Sequence, residues 1–341
     1  MNDQIEQRIT PSLNALRSSL TDEELRHGHA LARQWLAPAA QPAPGHLHLA
    51  AALLRGNPVT RAFSPVTNSR KLTSGHAAHA GLVLAARALT QALRAPGGLA
   101  DTLGASISAF LEKAAVLVAV AALEADFQAA LKAGQKSRAR TLLAQAMHVC
   151  PQGPRQTTME HCRSVAQHFR VLHARLKHPE LAARRYPNWN QHLPKWFATW
   201  RAELVAALEG HAGLAHVYLE WHDCGKPFCL EFDAQGRAHF PDHAERSAHL
   251  WEQVGGRADA ARLMAQDMDL QTLPPSAMTE FAKREHAALL LVAALAAVNA
   301  NAQMFGGVES DSFKIKAKQL EARGKRLCEA LFGVTNIKAV A

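Results

Sequence analysis

The chain has 341 residues, enough for one large domain or two modest ones. Apolar residues make up 48 %, Tyr and Phe are few, and the formal charge is +9 with a pI of about 9.6. The longest apolar run, residues 287–298, is too short to cross a bilayer, and the polar, acidic start Met1-Asn-Asp-Gln-Ile-Glu6 cannot serve as a signal peptide. Five cysteines without framework spacing point to a reducing compartment, so the composition implies a cytoplasmic protein without a membrane segment.

Long Ala/Leu/Arg/Gln runs favour helix and predict a nearly all-α chain. Residues 1–35 read as one or two amphipathic helices, and residues 37–45 as a Pro/Ala linker. Residues 26–100 hold eight Arg or Lys and no acid, a bias that suits an anionic partner such as phosphate or nucleic acid, or an Arg-rich proteome. Within them the loop 61–71 carries Arg61, Arg70 and Lys71 among hydroxyl and amide side chains. Such a loop can hold phosphate or be an ordinary polar connection. His76 and His79 lie one turn apart, but two histidines alone do not fill a metal's shell.

Helices rich in Ala and Leu are predicted over 103–132, with Val116–Leu123 apolar all round and therefore buried. The basic run 132–140 reads as a solvated connection, and Cys150-Pro-Gln-Gly-Pro154 as a boundary. The expected division is an Ala-rich basic helical region over 1–150 and a second domain over 151–341. Thr157-Thr-Met-Glu160 is a capping box that starts a helix. His161 falls in its first turn, on one stripe with Val165, Phe169, Leu172 and Leu176.

Residues 184–201 interleave three tryptophans with four cations. Aromatic faces beside cations can stack bases, whereas Trp196 and Trp200, at i and i+4, read as core packing; Arg184, Arg185 and Trp189 read as exposed. Tyr218-Leu-Glu-Trp-His-Asp-Cys-Gly-Lys-Pro227 runs an apolar helix into an imidazole and a carboxylate, then stops. Gly225 suits a left-handed helix-closing position, and Pro227 blocks resumption. Held at a corner, His222 and Asp223 can converge on a divalent metal. Cys224 and Cys229 read as small buried residues rather than ligands.

One hairpin is predicted over Cys229–Phe240, turning at Asp233–Gly236. A helix follows with Asp242 as its cap and His243 in its first turn. Leu263–Leu270 places Asp267 and Asp269 in one apolar helical segment, where a carboxylate needs a partner. His168 and His249 are given no role beyond supporting or surface positions. The tail 310–326 is a basic helix, solvated or gripping phosphate.

In this order, His161, the His222-Asp223 pair and Asp267 resemble the HD superfamily of metal-dependent phosphohydrolases. The following Gly225-Lys-Pro227, the hairpin and Phe240-Pro-Asp-His243 extend the likeness, which covers residues 155–300. The resemblance implies an all-α core in which His161, His222, Asp223 and Asp267 hold a divalent ion, Mn, Fe, Co, Ni, Zn or Mg. It places Lys226 and His243 at the phosphate. Gln266 stands where two-metal members often carry a further His, which favours one ion. Asp269 and, on a later helix, Asn299 are alternatives for the last ligand.

A water on such an ion loses its proton near neutral pH and can attack phosphorus. Asp223, Lys226 and His243 are thus the candidate catalytic residues, with Arg61, Arg70 and Lys71 as further substrate contacts. The expected activity is hydrolysis of a nucleotide or nucleic-acid phosphate ester, mono or di. The alternatives are a nucleotide- or nucleic-acid-binding module with a degenerate site, and an interaction scaffold whose histidines satisfy core hydrogen bonds.

Overall fold

A computed structural model of the chain describes residues 99–338, apart from 154–155, 188, 190 and 233–236. The stretches 1–35 and 37–45, the loop with Arg61, Arg70 and Lys71, the pair His76 and His79, and the turn 233–236 lie outside the described residues. What is described is mostly helix, with two short antiparallel ribbons, so the fold is mostly all-α. The chain divides into two compact units.

The first unit contains residues up to Cys150 together with 226–241. Its long helix α1 (Leu99–Lys132) ends where Gly134 takes a left-handed conformation (φ +70°) and the Gln135 amide donates to the Ala130 carbonyl. Helix α2 (Lys136–Val149) packs against α1. The basic run 132–140 is therefore not a connection throughout, since only residues 133–135 link the helices. The reason is the buried stripe Ala139, Leu142, Leu143, Ala146 and Met147, whose helical spacing begins inside the basic run. Lys136 and Arg138 take the exposed side.

A 3-10 turn, Lys226–Cys229, rests on both helices, with the Phe228 ring 5.4 Å from that of Phe127. The expected hairpin follows as Glu231–Phe232 paired with Ala238–His239. Of the apolar run 116–123, Leu117, Ala119, Val120 and Ala121 are buried, while Val116, Ala122 and Leu123 are half-buried.

The second unit spans 151–225 and 242–341. It opens on a ribbon that sequence reading missed, Pro151–Gly153 against Gln156–Thr157. Two- and three-residue strands are too short for an alternating pattern to register. Helix α3 (Thr158–Lys177) starts at the expected capping box. The Glu160 amide donates to the Thr157 hydroxyl at 3.2 Å, and the Thr157 amide donates to the Glu160 carboxylate at 2.8 Å.

Short helices α4 (Pro179–Arg185), α5 (Lys195–Thr199) and α6 (Arg201–Leu208) precede α7 (Ala212–Trp221). Then come α8 (His243–Gln253), α9 (Ala258–Ala265), α10 (Asp269–Thr272) and α11 (Met278–Phe281). Helix α12 (Ala287–Ala300) is buried on every side and packs on α3 and on the closing helix α13 (Asp311–Lys338). Leu291 and Leu295 are wholly enclosed, and burying each contributes about 2 kcal/mol. Among the described residues no helix is long and apolar enough to cross a membrane.

Helix α3 is the platform for the site, since α7, α6 and α4 also pack on it. Trp189 and His192 are tied down onto this framework. The Arg175 guanidinium donates to the Trp189 carbonyl at 2.9 Å. Asn299 clasps His192, accepting from its amide at 2.7 Å and donating to its carbonyl at 3.2 Å. Trp196 is buried against Gly324 of α13, and Trp200 is half-buried beside Phe332. Arg184 and Arg185 are exposed, as expected, but Trp189 is half-buried. Helix α13 buries Phe313, Ala317, Leu320 and Leu327 and exposes Lys314, Lys316, Lys318, Lys325 and Arg326.

Candidate metal centre

His161 stands in the first turn of α3 and points inward with Val165, Phe169, Leu172 and Leu176; His161, Val165, Leu172 and Leu176 are 3 % exposed or less. His222 directly follows α7, whose buried face is Leu214, Ala215, Tyr218 and Leu219. The chain then turns, with the Cys224 amide donating to the Trp221 carbonyl at 2.9 Å.

The corner is fixed by α8. The Gly225 amide donates to the Ser247 hydroxyl at 2.8 Å, and the Cys224 thiol donates to the Ser247 carbonyl at 3.5 Å. Gly225 is not left-handed, contrary to expectation. Its requirement for glycine is steric: a Cβ there would lie 2.5 Å from the Ser247 nitrogen and 2.8 Å from the His243 carbonyl oxygen.

This docking carries the start of α8 to the pair. Asp242 occupies the cap position, but its side chain makes no capping hydrogen bond and its backbone is left-handed (φ 50°). His243 comes in behind it. Its Nε2 lies 3.6 Å from Asp223 Oδ1. The other carboxylate oxygen, Oδ2, has His161 Nε2 at 3.5 Å and His222 Nε2 at 3.4 Å. Asp223 is thus ringed by three imidazoles.

His161, His222 and Asp223 are 2 %, 3 % and 1 % exposed. Each offers a ligand atom within 4.8 Å of the others, so the group could hold a metal ion. His243 is half-buried, the most accessible of the four.

The chemistry of the donors fits a cation. His222 Nδ1 donates to the Leu219 carbonyl at 2.9 Å, which leaves Nε2 as the coordinating nitrogen. Burial alone would lower the His222 pKa, but the negative charge of Asp223, with a smaller contribution from Asp267, raises it well above the ordinary value. The buried carboxylate attracts positive charge, and a divalent ion answers that demand as a proton does. Imidazole nitrogen with carboxylate oxygen suits a transition metal better than calcium.

The other expected ligands have different partners. Helix α9 ends at Ala265, so Asp267 sits in a turn and not in one continuous helix with Asp269. Asp267 Oδ1 accepts a short hydrogen bond from the Tyr218 hydroxyl. Tyr218 is buried, and its hydroxyl is held neutral by that burial and by Asp267. Asp267 therefore reaches the site through Tyr218 and its charge on His222, outside the three-ligand group.

Asp269 pairs with the Arg284 guanidinium, and Asn299 is committed to His192 and to the Leu295 carbonyl. Lys226 belongs to the first unit, where it is buried with its ammonium 5.3 Å from the Phe240 ring centre. His249 is exposed on α8.

Sequence reading missed Tyr218 and Ser247. Tyr218 was discoverable, because it precedes His222 by four residues and so shares its helical side. Ser247 gave no local signal; its role depends on the close passage of two segments. No family model matches the chain, nor does any curated protein or solved structure.

Proposed function

We propose that the chain is a metal-dependent phosphohydrolase acting on a nucleotide or nucleic-acid phosphate ester. The observation that carries this reading is the buried His161–His222–Asp223 group with His243 at the second carboxylate oxygen. His161 and His222 would hold the ion by Nε2 and Asp223 by Oδ2, with Mn, Fe, Co, Ni, Zn or Mg as the candidates and one ion as the simplest content. Such an ion, when bound, acidifies a coordinated water and polarises a phosphoryl oxygen.

The side chains supply the rest. Asp223 Oδ1 lies 3.6 Å from His243 Nε2 and steadies that ring, and the half-buried His243 would face the phosphate beside the ion. Tyr218 keeps Asp267 turned toward the site, where its charge strengthens the hold on a cation. Lys226 is assigned to substrate charge on the sequence likeness alone. The net charge of +9 suits a polyanionic substrate.

The test is hydrolysis of nucleotide and oligonucleotide panels by metal-supplemented protein, with Asp223→Ala as control. Metal-dependent turnover lost in the variant supports the assignment; equal turnover in both proteins removes it.

A second reading, a binding module with a degenerate site, draws on the pairing of Asp267 with Tyr218, Asp269 with Arg284 and Asn299 with the Leu295 carbonyl, which leaves three mutually close ligands. Tight oligonucleotide binding that survives chelation, without any turnover, would favour it.

A further inference from the structure

Two helical turns beyond His161, on the same side of α3, stands His168, about 10 Å further along the axis at 1.5 Å per residue. Its ring lies 4.6 Å from that of Trp189, and the Trp189 ring lies 6.3 Å from that of Tyr186. The Arg185 guanidinium sits 5.6 Å over Tyr186. Trp189 and Tyr186 are half-exposed, while Arg184 and Arg185 are exposed.

This aromatic run is held rigid. The Trp189 amide donates to the Tyr186 carbonyl at 3.2 Å, and Arg175 grips the Trp189 carbonyl. Gln191 Nε2 donates to the His168 carbonyl at 3.2 Å, which fixes the amide's orientation, and to His168 Nδ1 at 2.9 Å. His168 must then accept at Nδ1, so it is neutral; burial lowers its pKa to about 4, in agreement.

Gln191 is only 8 % exposed, and its Oε1 is buried without a hydrogen-bond donor from the protein. A large aromatic residue whose ring is half-exposed and whose backbone is pinned by hydrogen bonds, beside two exposed arginines, presents a preorganised stacking surface.

We propose that Arg184, Arg185, Tyr186 and Trp189 form a nucleobase-binding subsite: Trp189 stacks the base, and Arg184 and Arg185 hold the flanking phosphate. This deepens the phosphohydrolase reading and rests on it for the identity of the ligand as a phosphate ester. The base would sit about two helical turns from the candidate metal centre, a separation that a nucleotide or its neighbour in a strand can span. The shared chemistry is a base attached to phosphate, and single-stranded nucleic acid and free nucleotide are its two sources.

The experiment is an equilibrium binding titration of the full-length protein, in excess chelator and at fixed ionic strength. The probes are a short oligothymidylate, an abasic strand of the same length, and thymidine monophosphate. Oligothymidylate is expected to bind roughly tenfold or more tightly than the abasic strand. Trp189→Ala should abolish that difference, and Trp189→Phe should keep most of it. Arg184→Ala should weaken both strands alike. Binding of the mononucleotide as tightly as the oligomer would identify the free nucleotide as the source.

Equal affinity of the wild-type chain for the abasic and base-bearing strands would overturn the proposal, as would full discrimination in a folded Trp189→Ala variant. The abasic comparison needs no variant, so a misfolded substitution cannot hide the answer. Chelation keeps the readout independent of turnover: loss of base discrimination refutes the subsite alone, and loss of metal-dependent hydrolysis refutes the reading beneath it.

Discussion

Gly225 packs against the carbonyl of His243 so closely that a Cβ would sit 2.8 Å from its oxygen. This contact joins the corner that bears Asp223 to the helix that bears His243. Gly225→Ala must therefore push α8 and the corner apart, since the opposing atoms are backbone. The expected outcome is a loss of about 1–3 kcal/mol in stability and weaker metal retention. Thermal unfolding and elemental analysis of the variant check this. A variant with wild-type values on both would show that the corner has slack.

Asn299 offers a sharper test of the ligand set. Its amide donates to the His192 and Leu295 carbonyls and accepts from the His192 amide. Asn299→Asp keeps the acceptor but turns the donor against two carbonyl oxygens, at a cost of about 1–3 kcal/mol. If Asn299 were instead a last ligand, the new carboxylate would tighten metal binding. The structure predicts lower stability with metal affinity unchanged, measured by denaturant unfolding and metal titration.

Much of this was legible in the sequence. The capping box fixed the start of α3 and thereby set His161 on the inward stripe, because those signals are local and periodic. The His222-Asp223 corner was readable for the same reason. The choice of last ligand was not: Asp267, Asp269 and Asn299 all have suitable chemistry, and their partners Tyr218, Arg284 and His192 are set by tertiary packing. Gly225 was placed in the right corner for the wrong reason, since neighbouring sequence reveals a turn but not the approach of a distant helix. Lys136–Arg140 looked like a loop because charge masked an apolar stripe already under way.

His168 supplies a pH dependence. Burial lowers its folded pKa to about 4, while the unfolded value stays near the ordinary histidine value of 6.5. Below that unfolded value the unfolded chain binds the proton more readily than the folded one. The folded state accordingly loses stability as pH falls from about 6.5 toward 4, by at most roughly 3 kcal/mol. Above pH 7 the group contributes no pH dependence. His168→Asn retains an acceptor for Gln191 without titrating, so its unfolding midpoint should fall less on acidification than that of the wild type. Parallel decline of the two proteins would remove His168 as the cause.

The most direct test of the metal centre is elemental analysis of purified protein alongside a binding titration with Mn and Zn. The structure predicts close to a single equivalent of divalent ion in the wild-type chain and background levels in folded His161→Ala and Asp223→Ala variants. A wild-type chain that neither retains nor takes up either ion would contradict the account.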